Sequence, residues 1–152
     1  MEKQQLDAFK IIGIATITSN EEGRAKKDIA ALWQQLMTEK VIDQIPQAID
    51  STIYALYTDY EGDHTQPYTC IIGYKVPSLT NIPSGMVGRT IHKSNYNKFT
   101  AKGNLMGAAV IEKWLDIWEM DLNRTYTTDL EIYGEKATDP TNGEADIYIA
   151  VK

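Results

Sequence analysis

The sequence predicts an α+β fold in which one βαββ unit is duplicated into an antiparallel sheet with two main helices and a central ligand cleft. Two observations carry this. An apolar strand, an amphipathic helix and two more strands run from about Phe9 to Val76, and the same order of elements returns from about Val87 to Val151. A half of about 70 residues buries too little apolar surface to be comfortable alone. The 152 residues are therefore expected to form one domain, 1–152, whose halves share a core about a pseudo-twofold axis.

Taken in order, Phe9 to Thr18 is rich in Ile and β-branched residues, which favours a strand. Asn20 offers an N-cap, with Glu21 and Glu22 suited to the positive end of a helix over about 22–39. Within it Ile29, Leu32, Trp33, Leu36 and Met37 fall at the i, i+3, i+4, i+7, i+8 spacing of one buried face. Asp43 to Asp50, holding Pro46, reads as a connector. Thr52 to Thr58 and Tyr68 to Val76 then form a hairpin across the turn-rich Tyr60 to Pro67.

Pro77 to Gly88 has the composition of a loop joining the halves. The second half opens on a strand from Arg89 to Phe99, interrupted around His92 to Asn95, and continues into a helix over about 105–120 with Asn104 as its N-cap. The apolar residues of that helix cover a broad arc. One part is expected to face the sheet, and another, around Val110, Trp114 and Ile117, to face the linker, the other half or a ligand. Tyr126 to Tyr133 and Glu144 to Val151 form the closing hairpin about Asp139 to Gly143. By alternation Asp129, Glu131 and Tyr133 share one face. Leu130 and Ile132 are assigned to the helix side, which puts Glu131 on the opposite face of a strand near the middle of the molecule.

Composition excludes several classes. A net charge of −6 without a long Lys/Arg cluster argues against direct nucleic-acid binding. The polar N-terminus Met1-Glu2-Lys3-Gln4-Gln5 has no signal core and no apolar run reaches the roughly 18 residues of a membrane span, so no membrane association and a cytoplasmic protein are expected. Cys70 is the single cysteine, lies in an apolar run and reads as a packing thiol. His64 and His92 stand alone in loops, which proposes no metal site, and no motif implies a cofactor.

What remains is aromatic. Nine Tyr and three Trp against two Phe favour side chains that combine apolar area with a polar edge and an electron-rich face. A cleft walled by such rings attracts a cation by roughly 0.5–2 kcal/mol per favourable contact. A carboxylate inside it is compensated when a positive partner arrives or when it protonates. Glu131 is the candidate charge, with Tyr57, Tyr60, Tyr74, Trp114 and Tyr133 as walls. Glu131 could alternatively be a solvated edge residue or pair with Arg124 or a lysine.

The chain resembles the GyrI-like effector-binding domains of AraC-type and MerR-type regulators, which also occur as stand-alone, integron-cassette cationic drug-binding proteins. The residues that carry the resemblance are Tyr57-Thr58-Asp59-Tyr60, Pro67-Tyr68-Thr69, Ile72-Gly73-Tyr74-Lys75-Val76, Tyr96-Asn97-Lys98-Phe99, Trp114, Ile117, Arg124-Thr125-Tyr126, Asp129-Leu130-Glu131-Ile132-Tyr133 and Asp146 to Val151. The resemblance implies a ligand channel and places the family glutamate, which pairs with lipophilic cations, at Glu131; Leu130 stands where an aromatic is more common.

Three readings follow. The first is a receptor for hydrophobic cationic small molecules. In the second, which the resemblance suggests, Trp114 and Glu131 hydrolyse strained electrophiles. The third is an interaction module for a DNA-binding protein, since no helix-turn-helix precedes the first strand. Strand edges also allow a homodimer.

Overall fold

The structure, a computed structural model, describes residues 3–63, 65–105 and 107–152. Met1, Glu2 and the loop histidine His64 lie outside the described residues, as does Met106 at the start of the second predicted helix. The elements in chain order are β1 (Lys3–Leu6), β2 (Phe9–Thr18), α1 (Arg24–Thr38), β3 (Ile53–Thr58), β4 (Tyr68–Val76), β5 (Val87–Ile91), β6 (Ser94–Gly103), α2 (Ala109–Trp118), β7 (Thr128–Tyr133) and β8 (Gly143–Val151). All strands belong to one eight-stranded antiparallel sheet in the order β1-β6-β8-β7-β3-β4-β2-β5. Read inward from its two edges, this order is the same arrangement twice, meeting where β7 pairs with β3.

The duplication contains an exchange that periodicity did not reveal. β1 is joined to β2 through Asp7-Ala8 but pairs with β6, while β5 is joined to β6 through His92-Lys93 but pairs with β2. Each half thus gives its leading strand to the other half's edge. The interruption expected at His92 to Asn95 is this crossing point, narrowed to two residues, and the polar Lys3–Leu6 strand is its unexpected counterpart.

The sheet curls, so both of its faces are dry. On the helix side Ile12, Ile14, Ala55, Tyr57, Cys70, Ile72 and Tyr74 pack with Leu32 and Leu36 of α1, and Phe99, Ala101, Ile147 and Ile149 pack with Ile117 of α2. Inside the curl Ile11, Leu56, Ile71, Leu130, Tyr148 and Ala150 form a separate cluster, closed by Leu6, Val87 and Ile91 from the exchanged strands. This corrects the assignment of β7. Leu130 and Ile132 pack inside the curl, because a second apolar interior is available there, and alternation turns Asp129, Glu131 and Tyr133 toward the helices.

Helix ends also differ from expectation. Glu21–Gly23 form a 3-10 turn before α1, whose capping position is Gly23 in the left-handed conformation, and Asn20 instead accepts a hydrogen bond from the Tyr68 hydroxyl at 2.8 Å. The residue that precedes α2 is Ala108, and the Asn104 carbonyl closes a turn with the Gly107 N–H at 3.0 Å. Tyr126 sits at φ 54°, which excludes it from the strand predicted to begin there. The predicted arc of α2 is reversed for its sheet-facing part: Val110 and Ile117 pack on the strands of their own half while Ile111, Leu115 and Trp118 are exposed, and Trp114 reaches the other half, as one of the expected alternatives had it. Among the described residues, no helix is long and apolar enough to cross a membrane.

Candidate functional site

β7 and β3 are the two central strands, and near the middle of their pairing Glu131 stands opposite Ala55. The small Ala55 side chain leaves room on the helix side for a carboxylate. Glu131 is 2% exposed. Its Oε2 accepts from the Tyr57 hydroxyl at 2.9 Å and the Trp114 indole N–H at 2.6 Å, and its Oε1 accepts from the Tyr133 hydroxyl at 2.5 Å. The donors come from β3, α2 and β7, so sheet and helix converge on one acid.

All three donors are neutral. Among the described residues no cation pairs with Glu131; the buried guanidinium of Arg124, considered above as a partner, pairs with Asp129 instead. Burial pushes the Glu131 carboxyl above its ordinary range, while the hydrogen bonds from Tyr133, Trp114 and Tyr57 pull it back down in part. Burial likewise raises the Tyr57 and Tyr133 hydroxyls, with the Glu131 charge adding to it, so both remain donors across the neutral range. Cys70 is buried and its thiol is pushed up by the same two causes, which fits a packing thiol rather than a nucleophile.

The rings around Glu131 are in mutual contact. Tyr57 meets Trp114 edge-on at 5.4 Å between centroids, and Tyr133 meets Trp33 of α1 edge-on at 4.9 Å. Tyr57 also touches Tyr68 at 6.0 Å, and Trp114 touches the exposed Trp118 at 6.4 Å. Edge-to-face contacts of this kind are favourable but individually small. Two cavities of about 180 and 300 Å³ lie between each helix and a flanking strand, one beside Asp28 and Gln35 and the other beside Lys102 and Lys113; neither borders Glu131. The low exposure of Glu131 shows that the rings close over the acid.

Two residues along β7, Asp129 is wholly buried and fully paired. Its Oδ1 accepts from the Ala150 backbone N–H at 2.8 Å, and its Oδ2 accepts from the Tyr60 hydroxyl at 2.6 Å and from Arg124 Nη2 at 2.7 Å. The Arg124 guanidinium also lies over the Tyr126 ring at 4.3 Å.

Of the expected walls, the structure brings Tyr57, Trp114 and Tyr133 onto Glu131. Tyr60 is brought to Asp129 instead. Tyr74 is buried in the same helix-side cluster, where burial first and the Asp43 charge second raise its hydroxyl, and it is not among the three donors to Glu131. Trp33 and Asp129 were not anticipated as site residues. The helical spacing that puts Trp33 on the buried face of α1 was the available signal for the first, and the shared face of Asp129 and Glu131 for the second. Among the described residues no group of His, Cys, Asp or Glu could hold a metal ion.

Comparison with known proteins agrees with this architecture. Residues 4–151 match the Cass2 family, described as integron-associated effector-binding proteins. The chain is 32% identical to YobU of Bacillus subtilis (strain 168), whose name proposes a transcriptional regulator, over 97% of this chain and 94% of that protein. Its fold is similar to the integron cassette protein VCH_CASS2 from the mobile metagenome of Vibrio cholerae, with a TM-score of 0.75, 27% identity and coverage of 99% and 95% of the two chains. It is also similar in fold to SAV2435 bound to tetraphenylphosphonium, with a TM-score of 0.80, 22% identity and coverage of 99% and 93%.

Proposed function

From the premise that this chain belongs to the Cass2 family of integron-associated effector-binding proteins, we propose that its effector is a hydrophobic cation, held by Glu131 between the rings of Tyr57, Trp114, Tyr133 and Trp33. One observation carries the reading: a buried carboxylate with three neutral donors and, among the described residues, no counter-cation. Desolvating such a group is costly, and a cationic guest offsets that cost while each ring face adds roughly 0.5–2 kcal/mol. A large apolar cation suits the site better than a metal or ammonium ion, because its own desolvation is cheap. That SAV2435 binds tetraphenylphosphonium supports the choice of probe.

Entry requires the cover to part. Trp114 is the lid residue in this reading, since α2 holds the sheet with few buried side chains and leaves Ile111, Leu115 and Trp118 in solvent. Displacing α2 outward would withdraw the Trp114 N–H from Oε2 of Glu131, leaving that oxygen the Tyr57 hydroxyl alone, and would open the ring faces. Titration with tetraphenylphosphonium, followed by tryptophan fluorescence, tests the proposal. Saturable binding that is weakened in Glu131→Gln is the expected result; equal affinity in both proteins would remove Glu131 from the reading. If the chain takes part in transcription control, its net charge of −6 suits it to act through a DNA-binding partner.

A second reading is favoured by the direct 2.6 Å contact from the Trp114 indole to Glu131. A carboxylate whose pKa burial raises is a better general base, and here it could activate water against a strained electrophile. Mass spectrometry of an epoxide incubated with wild type and Glu131→Gln separates this from binding, because only hydrolysis yields the diol in a Glu131-dependent way.

A further inference from the structure

β7 carries two buried carboxylates on one face, Asp129 and Glu131, whose positions two residues apart put them about 7 Å from each other along the strand. They differ in one respect. Asp129 has a cation and Glu131 has none among the described residues.

The cation on Asp129 is held as a guest would be. Arg124 comes from the irregular segment between α2 and β7, its side chain is only 7% exposed, and its guanidinium lies over the Tyr126 ring at 4.3 Å while one nitrogen meets Asp129 at 2.7 Å. Tyr126 in turn meets Tyr60 edge-on at 5.7 Å, Tyr60 meets Tyr68 at 5.6 Å and Tyr68 meets Tyr57 at 6.0 Å, so rings run without a break from Arg124 to the Glu131 cover. The pairing is one-armed. A fork-to-fork guanidinium pair would use two nitrogens, yet Arg124 Nε is buried and has no hydrogen-bond partner among the described residues. Tyr126 beside it is held at φ 54°. Geometry suited to a strong structural ion pair would have satisfied that nitrogen.

We propose that the site has two cation subsites on β7, that the second, formed by Asp129, Tyr60 and Tyr126, is occupied by the chain's own Arg124, and that Arg124 thereby restricts the effector to a single positive charge. Arg124 is then a specificity-determining residue. A dication whose charges are spaced to reach both carboxylates is rejected, because its second charge meets a guanidinium. This inference rests on the Glu131 reading of the site, and the test keeps the two apart.

The test compares tetraphenylphosphonium, a monocation, with methyl viologen, an aromatic dication of suitable charge spacing, by fluorescence or calorimetric titration. In wild type the monocation is expected to bind at least tenfold more tightly. Arg124→Met, which keeps an unbranched apolar stem and removes the guanidinium and its charge, is expected to raise the ratio of dication to monocation affinity at least tenfold. Arg124→Met/Asp129→Asn is expected to return that ratio to the wild-type value, and Arg124→Lys to leave it low.

Wild type that binds methyl viologen as tightly as tetraphenylphosphonium would overturn the proposal, as would a folded Arg124→Met with an unchanged ratio. Should Arg124→Met fail to fold alone, refolding in methyl viologen but not in tetraphenylphosphonium is the expected rescue. Failure of both ligands to rescue it, with the double variant folded, would show Arg124 to be structural only. No binding of tetraphenylphosphonium to wild type would instead sink the Glu131 reading itself.

Discussion

Three hydrogen bonds from neutral donors stabilise the charge on Glu131 without neutralising it, and the behaviour of the site follows from that difference. Glu131→Gln keeps the shape and removes the charge, so tetraphenylphosphonium affinity is expected to fall about 10- to 100-fold, or ~1.4–2.7 kcal/mol, in calorimetric titration. The pH dependence has a definite sign. Burial raises the native pKa of Glu131 above the ordinary carboxylate range, so the folded protein favours the protonated form. Its contribution to stability is full below that range and is lost as pH rises through the raised native value. The thermal midpoint of wild type should therefore decline across this window relative to Glu131→Gln, while cation affinity rises across it, since only the carboxylate attracts the guest. Parallel curves for the two proteins would show that Glu131 does not titrate as its burial requires. At this scale the sequence was readable where a residue's role depends on its own strand or helix: Glu131, Tyr57, Tyr133 and Trp114 converge as expected. Tyr74 and Tyr60 share their composition but not their location, because which acid a tyrosine reaches is decided by neighbouring strands and by the sheet's curl.

The two helices are unequal, and the inequality assigns them different duties. α1 buries Leu32 and Leu36 over fifteen residues, whereas α2 has ten residues and buries only Ile117 fully; neither has a side-chain cap at its start. Isolated helices shorter than about 12–15 residues are marginal, so α2 depends on Val110, Trp114 and Ile117 for its place. Hydrogen exchange should be faster for α2 amides than for α1 amides, and tetraphenylphosphonium should alter protection in α2 more than in α1. Uniform exchange in both helices would argue against α2 as the moving cover. The opposite extreme is the β2–β4 ladder, where Gly13 faces Gly73. A Cβ on Gly13 would lie 2.2 Å from the Ile72 carbonyl oxygen, and one on Gly73 2.1 Å from that of Ile12. Gly13→Ala is expected to cost at least ~1–3 kcal/mol in urea unfolding, since backbone must yield. Periodicity located both helices and most strands, but it overran α2 at each end and reversed its exposed arc. A broad apolar arc shows how much a helix could bury and leaves open which part the sheet takes.

Duplication was legible at the level of the whole chain, because each half repeats the same element order; the exchange of edge strands was not. Lys3–Leu6 carries too little pattern to announce a strand, and no sequence periodicity states which neighbour a strand will pair with. The exchange nevertheless governs how the molecule comes apart. β6 of the second half is covered by β1 from the first, β2 of the first is covered by β5 from the second, and the cluster inside the curl takes Leu6, Ile71, Ile91, Leu130 and Tyr148 from both halves. Neither half can open without stripping an edge from the other and exposing that shared cluster. Unfolding is therefore expected as one transition, with far-UV dichroism and tryptophan fluorescence tracing the same curve in urea. Leu36→Ala in the first half and Ile117→Ala in the second create cavities in separate helix-side clusters, each costing about 2–5 kcal/mol. If the halves are bound as the exchanged strands require, each substitution lowers the midpoint of that one transition with its whole amplitude. A substitution that moves only part of the amplitude, or probes that separate, would mean the crossed strands do not couple the halves, and the site at β3–β7 would then sit on a hinge between two folding units.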